Sequence, residues 1–404
     1  MNILFLTMVS SLQDIETSGI YSDLMRKFRD ESHEVYVIYP RERRTGLPTE
    51  LKVENHVHCL GVKTFNLTKT NVIEKGIGQL LLEPQFQSAF KKYFIKVKFD
   101  LILYSTPPIT FNKVIKYAKV YSPKAKTYLL LKDIFPQNAV DLGMLSKTGI
   151  KGLLYQFFRR KEKALYRLSD YIGCMSPANV SYLLKHNPEI NPDIVEIAPN
   201  SCDIPKRKEL IDKKIIRKKY NLPIDRPIFI YGGNMGRPQG ISFLVECMKA
   251  VKDRNDSHFV IIGDGTGYKE LETFVQTYIP KSVSLFRKIP KSDYDQLAES
   301  CDIGLIFLDY RFTIPNYPSR LLPYLITKKP ILAVTDPNCD TGLLAEKYGY
   351  GFYAPSNSVA EFVNSVDKIL ASDIQDMGEC GFSFYLNNYT TDHTYQTIVK
   401  HFNK

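Results

Sequence analysis

Short, continuously apolar runs alternate with helical patterns along nearly the whole chain, and this alternation restricts the fold more than any other feature. In the first half the runs are NILFLT (2–7), EVYVIY (34–39), HVHCL (56–60), DLILYS (100–105), KTYLLL (126–131), DYIGCM (170–175) and IVEIA (194–198). In the second half they are PIFIY (227–231), HFVII (258–262), SVSLF (282–286), DIGLIF (302–307) and PILAV (330–334). A strand that lacks polar alternation is covered on both faces. Strands separated by helices pair in parallel through right-handed crossovers. The sequence therefore predicts an α/β fold built on mainly parallel, doubly wound sheets.

At about 150 residues per domain, the 404 residues call for more than one such sheet. The break is expected across 199–226, where prolines combine with a dense charged stretch before a fresh strand ends in IYGGNMG. Two Rossmann-like domains follow, 1–198 and 199–383, facing one another with the ligand between the carboxyl ends of their strands. The tail 384–404 has helical apolar spacing near its end and is expected to pack back on the first domain. With 44% apolar and 24% charged residues the composition is globular, and no apolar run reaches the roughly 18 residues of a membrane span. The hydrophobic opening MNILFLTMVS lacks a basic flank and a cleavage site, so it reads as a first strand rather than a signal peptide.

Seven scattered cysteines without a CxxC pair argue against a disulfide framework and for a reducing, cytoplasmic setting. The histidines form no ligand cluster; His56 and His58 alternate on one strand without further metal-binding residues nearby. The net charge of +11 is uneven: residues 1–200 hold 28 basic and 19 acidic residues, and 61–132 hold 13 against 3. Such a surface suits an anionic partner. Lys91, Lys92, Lys96 and Lys98 interleave with aromatic residues in FKKYFIKVK, and Lys113, Lys116 and Lys119 recur at helical spacing. These lysines predict salt-sensitive contact with an anionic membrane; no nucleic-acid motif accompanies them.

The strongest local signal is PIFIYGGNMGRPQGISFLVECMKAV (227–251). A buried strand runs into Gly232 and Gly233, then a loop with Asn234, Gly236 and Gly240, then an amphipathic helix. Glycines let backbone N–H groups approach a phosphate, and Arg237 can neutralise it. A second loop, FVIIGDGTGYKELETFV (259–275), with Gly263, Gly265 and Gly267, departs from the GxGxxG dinucleotide fingerprint, and the next strand ends in Arg287 rather than an acid. A third, DYRFTIPNYPSRLLPYLITKKPILAV (309–334), is read as a proline-punctuated loop leading into a helix capped by Ser319, with Arg320 in its first turn. In the first domain Gly19 stands at the mouth of the first helix, and Asp133 follows a buried strand in LLLKDIFPQNAVDLGML (129–145).

Taken together, KDIFPQNAVDLGML, EKALYRLSDYIGCMSPANVSYL, IAPNSCD, YGGNMGRPQG, FVIIGDGTGYKELE and NYPSRLLPYLITKKPILAV resemble glycosyltransferases of the retaining GT-B type. Among these the chain is most similar to bacterial capsule and O-antigen enzymes typified by N-acetyl-L-fucosamine transferases. The resemblance implies a nucleotide-sugar donor, UDP-linked, held mainly by the second domain, and a polyprenyl-diphosphate-linked acceptor held mainly by the first. Carried over by position, Gly232, Gly233, Asn234, Gly236, Gly263 and the loop Asn316, Tyr317, Ser319, Arg320 would surround the donor diphosphate. Lys288 and Ile289 would meet the base, Gly19 would lie near the phosphates, and Asp133 near the transferred sugar, with Asp133, Arg237 and Arg320 as catalytic candidates. Pro315 and Pro323 stand where many relatives carry two glutamates, the second of which holds the ribose. Asn234 and Gln239 replace a common basic pair.

Departure of an anionic diphosphate needs positive charge more than acid–base machinery. No D-x-D motif stands out, so neither metal nor cofactor is expected; no carboxylate pair suggests a hydrolase. The rival readings are a nucleotide-sugar 2-epimerase, a Rossmann oxidoreductase and a non-catalytic nucleotide-sugar-binding scaffold.

Overall fold

A computed structural model describes residues 1–67, 70, 72–205 and 212–402, and the chain divides into two units, Met1–Asp203 with Tyr389–Lys404, and Ile204–Asn388. The first boundary thus lies five residues beyond the predicted one. Part of the charged break, 206–211, lies outside the described residues.

The N-terminal unit runs β1 (Asn2–Leu6), α1 (Ile20–Asp30), β2 (Glu34–Glu42), β3 (Glu50–Glu54), β4 (Val57–Thr64), α2 (Val72–Tyr93), β5 (Leu101–Ser105), α3 (Asn112–Tyr121), β6 (Lys126–Leu131), α4 (Gln137–Asp141), α5 (Gly149–Arg167), β7 (Tyr171–Cys174), α6 (Pro177–His186) and β8 (Val195–Ile197). Its sheet has the order β3-β4-β2-β1-β5-β6-β7-β8, parallel except for the antiparallel pair β3–β4. The apolar-run rule misses β3 for a physical reason: four of its five residues are exposed, so an edge strand of this kind carries no continuous apolar signal. The central strands are buried on both sides. Leu4, Ile102, Leu129 and Ile172 join one core, and Ile3, Phe5, Val37, Leu103 and Leu130 join the other. Local signals agree with the packing: at α6 the Ser176 hydroxyl accepts from the Asn179 N–H at 3.4 Å, and Pro177 opens the helix.

The C-terminal unit runs α7 (Lys213–Lys219), β9 (Ile228–Asn234), α8 (Ile241–Val251), β10 (His258–Asp264), α9 (Tyr268–Tyr278), β11 (Val283–Arg287), α10 (Lys291–Ser300), β12 (Ile303–Phe307), α11 (Leu321–Ile326), β13 (Ile331–Thr335), α12 (Thr341–Lys347), β14 (Gly351–Pro355), α13 (Val359–Leu370) and α14 (Ile374–Asn388). Its sheet is parallel throughout, in the order β11-β10-β9-β12-β13-β14. The partly buried edge strand β14 was also not legible as an apolar run.

The expected tail 384–404 divides: 384–388 complete α14 in the C-terminal unit, and the last helix, α15 (Thr391–Val399), belongs to the N-terminal unit. Tyr395, Ile398 and Val399 enter its core, the Tyr395 ring meets Phe28 edge-on at 5.2 Å, and Lys126 donates to the His401 carbonyl at 2.8 Å. The lysine-rich FKKYFIKVK is resolved into two roles. Phe90 and Phe94 are fully buried core residues, whereas Lys91, Lys92, Lys96 and Lys98 remain on the surface. Phe90 and Phe94 are therefore not surface features, whereas Tyr93 is half-buried with the Lys92 ammonium 5.2 Å from its ring centroid.

Candidate functional site

In an open α/β sheet the ligand crevice opens where neighbouring strands send their crossovers in opposite directions. In the C-terminal unit this reversal falls between β9 and β12. The loops leaving those two strands carry the glycine motif and the Asn316–Arg320 segment, so topology alone brings the two strongest sequence signals together.

Arg320 is the centre of that site. Its guanidinium carbon lies 4.5 Å from the centroid of the Tyr231 ring, a cation–π contact. A Cβ added at Gly233 would lie 3.1 Å from its Nη2, so the guanidinium sits directly beside the glycine turn. Burial works against the charge, but the hydroxyls of Tyr231, Tyr324 and Tyr294 outweigh it, and the net shift of its pKa is upward. Its Nη1 is buried without a hydrogen-bond partner. A cation held among phenols with one N–H group unsatisfied can donate to an anionic acceptor atom.

The tyrosines around it explain two glycines. A Cβ at Gly232 would overlap the Tyr294 hydroxyl, and one at Gly304 would overlap the Tyr324 ring. Tyr324 is held in turn by donating to the Ile230 carbonyl at 3.0 Å. Gly232 therefore makes room for the tyrosine cage, while Gly233, exposed and at φ +124°, is the glycine that presents backbone to the crevice. Gly263 also serves packing: a Cβ there would overlap the Gly233 carbonyl oxygen. Gly263→Ala is expected to push β9 and β10 apart at their carboxyl ends and cost about 2–3 kcal/mol, as overpacking does. Chemical denaturation checks this, and an unchanged midpoint would contradict the account.

A cavity of about 240 Å³ is lined by Arg320, Asn316, Tyr317, Ser319, Pro238 and Gln239. The predicted cap is corrected here: Arg320 itself occupies the N-cap of α11, with no side-chain cap, and Ser319 is exposed. Pro318 precedes this six-residue helix and Pro323 lies within it. Asn234 and Gln239 hold each other. The Asn234 amide donates to Gln239 Oε1 at 3.1 Å, and the Gly236 N–H donates to the same oxygen at 3.2 Å.

Arg237 is exposed on the other side of this turn. It lines a separate cavity of about 570 Å³ with Gly236, Ser242, Glu270 and Arg311, so the two candidate cations are not gathered in one pocket. Lys288 and Ile289 follow β11, two strands from β9, next to Pro290 at the start of α10. The sequence reading also overlooked one literal D-x-D, Asp293-Tyr294-Asp295. Its carboxylates pair with Lys219 at 3.2 Å and Lys291 at 2.8 Å, and residues two apart on a helix do not share a face.

In the N-terminal unit the same reversal of strand order falls between β1 and β5. Gly19 precedes α1, and its N–H donates to Asp23 Oδ1 at 2.9 Å. Asp23 is fully buried; it also pairs with Arg26 and accepts from the Asp203 N–H at 2.8 Å. It thus ties the start of α1 to the segment after β8, a contact that motif reading missed. Asp133 follows β6 at the carboxyl end of the sheet. Its N–H donates to Thr106 Oγ1 at 3.2 Å and its carboxylate accepts from the Asn138 amide at 2.8 Å. Burial raises its pKa to about 6, against the lowering effect of the Asn138 and Ile134 donors. Neighbouring Lys132 is lowered to about 7 by the same burial and donates to the Ala198 carbonyl at 2.7 Å. His56 and His58 both face Glu34, at 2.6 and 3.2 Å, and His58 stacks on Tyr36. Among the described residues no group of three or more His, Cys, Asp or Glu is arranged to hold a metal ion.

Residues 212–379 match the family model described as glycosyl transferases group 1. Over 338 residues the chain is 24% identical to the probable glycosyltransferase WbjE of Pseudomonas aeruginosa, covering 80% of this chain and 78% of that protein. It is 24% identical over 252 residues to the putative colanic acid biosynthesis glycosyl transferase WcaI of Escherichia coli K12, covering 61% of this chain and 59% of that one. Among solved structures, sucrose-phosphate synthase of Thermosynechococcus elongatus superposes with a TM-score of 0.76 at 16% identity, over 100% of this chain and 98% of that one. Anabaena HepE in complex with UDP-glucose superposes with a TM-score of 0.66 at 14% identity, over 100% and 99%. The fold is the two-domain α/β arrangement of GT-B glycosyltransferases.

Proposed function

We propose that this chain, a glycosyltransferase, moves a sugar from a UDP-linked donor to a polyprenyl-diphosphate-linked saccharide, with retention of configuration, in the assembly of a surface polysaccharide such as capsule or O-antigen. The observation that carries the reading is Arg320: a cation boxed by three tyrosines beside Gly233, with a buried N–H group lacking a protein partner. A diphosphate oxygen is the natural acceptor for that donor. HepE, a structural neighbour, was crystallised with UDP-glucose, and WcaI is named for colanic acid biosynthesis; both favour this donor and product class. The finer choice of an N-acetyl-fucosamine-type sugar rests on the sequence resemblance.

In this mechanism the bond between the anomeric carbon and the donor phosphate oxygen breaks, and its electron pair leaves on the diphosphate. Arg320 stabilises that developing charge. The acceptor hydroxyl attacks from the same face, forming the new glycosidic bond, and its proton passes to the departing phosphate oxygen. Asp133 is assigned to hydroxyls of the transferred sugar. Product analysis by NMR tests the whole: an α-configured donor should give an α-linked product that grows with acceptor concentration. Free isomerised sugar without any acceptor would instead establish the epimerase reading.

Because the charge is met by arginine and backbone, transfer is expected to persist in EDTA. Complete loss of turnover, restored by magnesium or manganese, would overturn this part of the mechanism.

A further inference from the structure

The crevice described above opens at the carboxyl ends of the C-terminal sheet. A second cavity of the same unit, of about 630 Å³, opens at its amino ends. The residues that lead into three neighbouring strands bound it: Pro227 before β9, Cys301 and Asp302 before β12, and Lys329 before β13. β12 and β13 have five residues each. At about 3.3 Å per residue, they hold the two openings roughly 15 Å apart. The helix α11 runs from one edge to the other: Arg320 stands at its N-cap, and Lys328 and Lys329 follow its C-cap, Thr327.

Five basic side chains line this cavity against three carboxylates. Three of the cations are matched: Arg226 with Asp225 at 3.0 Å, Lys328 with Glu379 at 2.8 Å, and Arg217 with Asp302 at 2.6 Å. Asp302 also accepts from the Ile228 N–H at 2.9 Å, and the exposed Lys213 reaches it only at 3.4 Å. Lys329 has still less. It is 3% exposed, its ammonium donates to the Glu299 carbonyl at 3.1 Å, and among the described residues no carboxylate pairs with it. An ammonium carries three N–H groups, so two remain for what enters the cavity. Burial, and then the charge of Lys213, lowers the pKa of Lys329 to about 8. The neighbouring Cys301 thiol is pushed up to about 12 by burial and supplies no counter-charge. A lysine is almost never this buried without a partner. Two cations short of counter-charge on one cavity fit a dianion, since a monoanion leaves one of them unmatched.

We propose that this cavity binds a small dianion of the phosphate class, a free phosphate or the phosphate group of a monoester, held by Lys329 and Lys213. The site is separate from the donor crevice and does not rest on the glycosyl-transfer reading.

Sulfate is the probe, because it is a dianion that does not itself titrate near neutrality. It is titrated calorimetrically into the full-length protein at about pH 8, in buffers of different ionisation enthalpy. Binding is expected with a Kd below about 1 mM. It should draw in about half a proton, because the anion completes the protonation of Lys329. Lys329→Met keeps the side-chain volume and removes a buried charge, so the melting temperature should hold. It should weaken sulfate by more than about tenfold and abolish the proton uptake. Lys213→Gln, at an exposed position, should weaken binding several-fold, and it decides the matter if the buried substitution disturbs the fold. Arg320→Ala should keep the proton-linked event, which separates this site from the donor crevice. Inorganic phosphate and glycerol phosphate should each displace sulfate. Stronger displacement by the ester assigns a monoester, and stronger displacement by the free ion assigns phosphate itself. Displacement by neither, binding without proton uptake, unchanged affinity in the lysine variants, or loss of the proton-linked event in Arg320→Ala would overturn the proposal.

Discussion

Arg320→Ala is expected to lower turnover by on the order of 10²–10³, roughly 3–4 kcal/mol, the range seen when one preorganised donor to a developing anion is removed. The chain should stay folded, because Tyr324 keeps its hydrogen bond to the Ile230 carbonyl and Tyr294 keeps its seat against Gly232. Removing a cation whose Nη1 is buried without a partner also relieves an unsatisfied donor. Function and stability should therefore part company, with kcat falling while the melting temperature holds or rises. Arg320→Lys should recover only a fraction, since an ammonium cannot stack on Tyr231 and direct a planar N–H toward the crevice at once. UDP binding by calorimetry supplies the second readout and should weaken in the alanine variant. Arg237→Ala is the parallel measurement. Arg237 is exposed on a different cavity wall, and near-normal kinetics there would remove it from the donor site while leaving Arg320 in place. Near-normal kinetics in Arg320→Ala would sink the central claim.

Parallel strands buried on both faces announce themselves, which is why β1, β5, β6, β9, β10, β12 and β13 were legible as unbroken apolar runs. β3 and β14 were not, because an edge strand exposes much of its surface and loses that signature. Glycine was legible as a class, but its purpose was not. Gly233 and Gly232 are adjacent in sequence, yet one presents backbone to the crevice and the other yields space to Tyr294, sixty-two positions away. The tyrosine cage illustrates the limit. Tyr231, Tyr294 and Tyr324 come from a strand and two separate helices, and no local spacing links them. Asp23 is only half of that kind: its contacts with Gly19 and Arg26 are local, at four and three positions, whereas its contact with Asp203 forms only in the folded unit. Conversely, Ser319 fits the local cap rule, but the helix begins one residue later, with Arg320 at its N-cap and no side-chain cap bond.

Asp133 joins the two kinds of consequence in one residue. Its folded pKa of about 6 stands above the ordinary 3.8 because burial disfavours the carboxylate. A group raised in the fold contributes its full stability below the unfolded value and loses it as pH climbs through the folded one. The protein should thus lose stability between about pH 4 and pH 6 on this account. At about 1.4 kcal/mol per unit, discounted for the residue's partial exposure, the loss is about 2 kcal/mol. Asp133→Asn abolishes the ionisation, so its melting temperature should be flatter across that window and higher than the wild type's at pH 7.5. If the ionised carboxylate is the form that receives the sugar hydroxyls, wild-type transfer must rise with pH around 6. The asparagine variant should lose that limb along with roughly 10²-fold or more of its activity. A stabilised variant with full activity would leave Asp133 a strained carboxyl and nothing more. A destabilised variant would show that the hydrogen bond from Asn138 is worth more than the buried charge costs. A gain in stability with a loss of transfer and of the limb near pH 6 is the combination that only a site carboxylate gives.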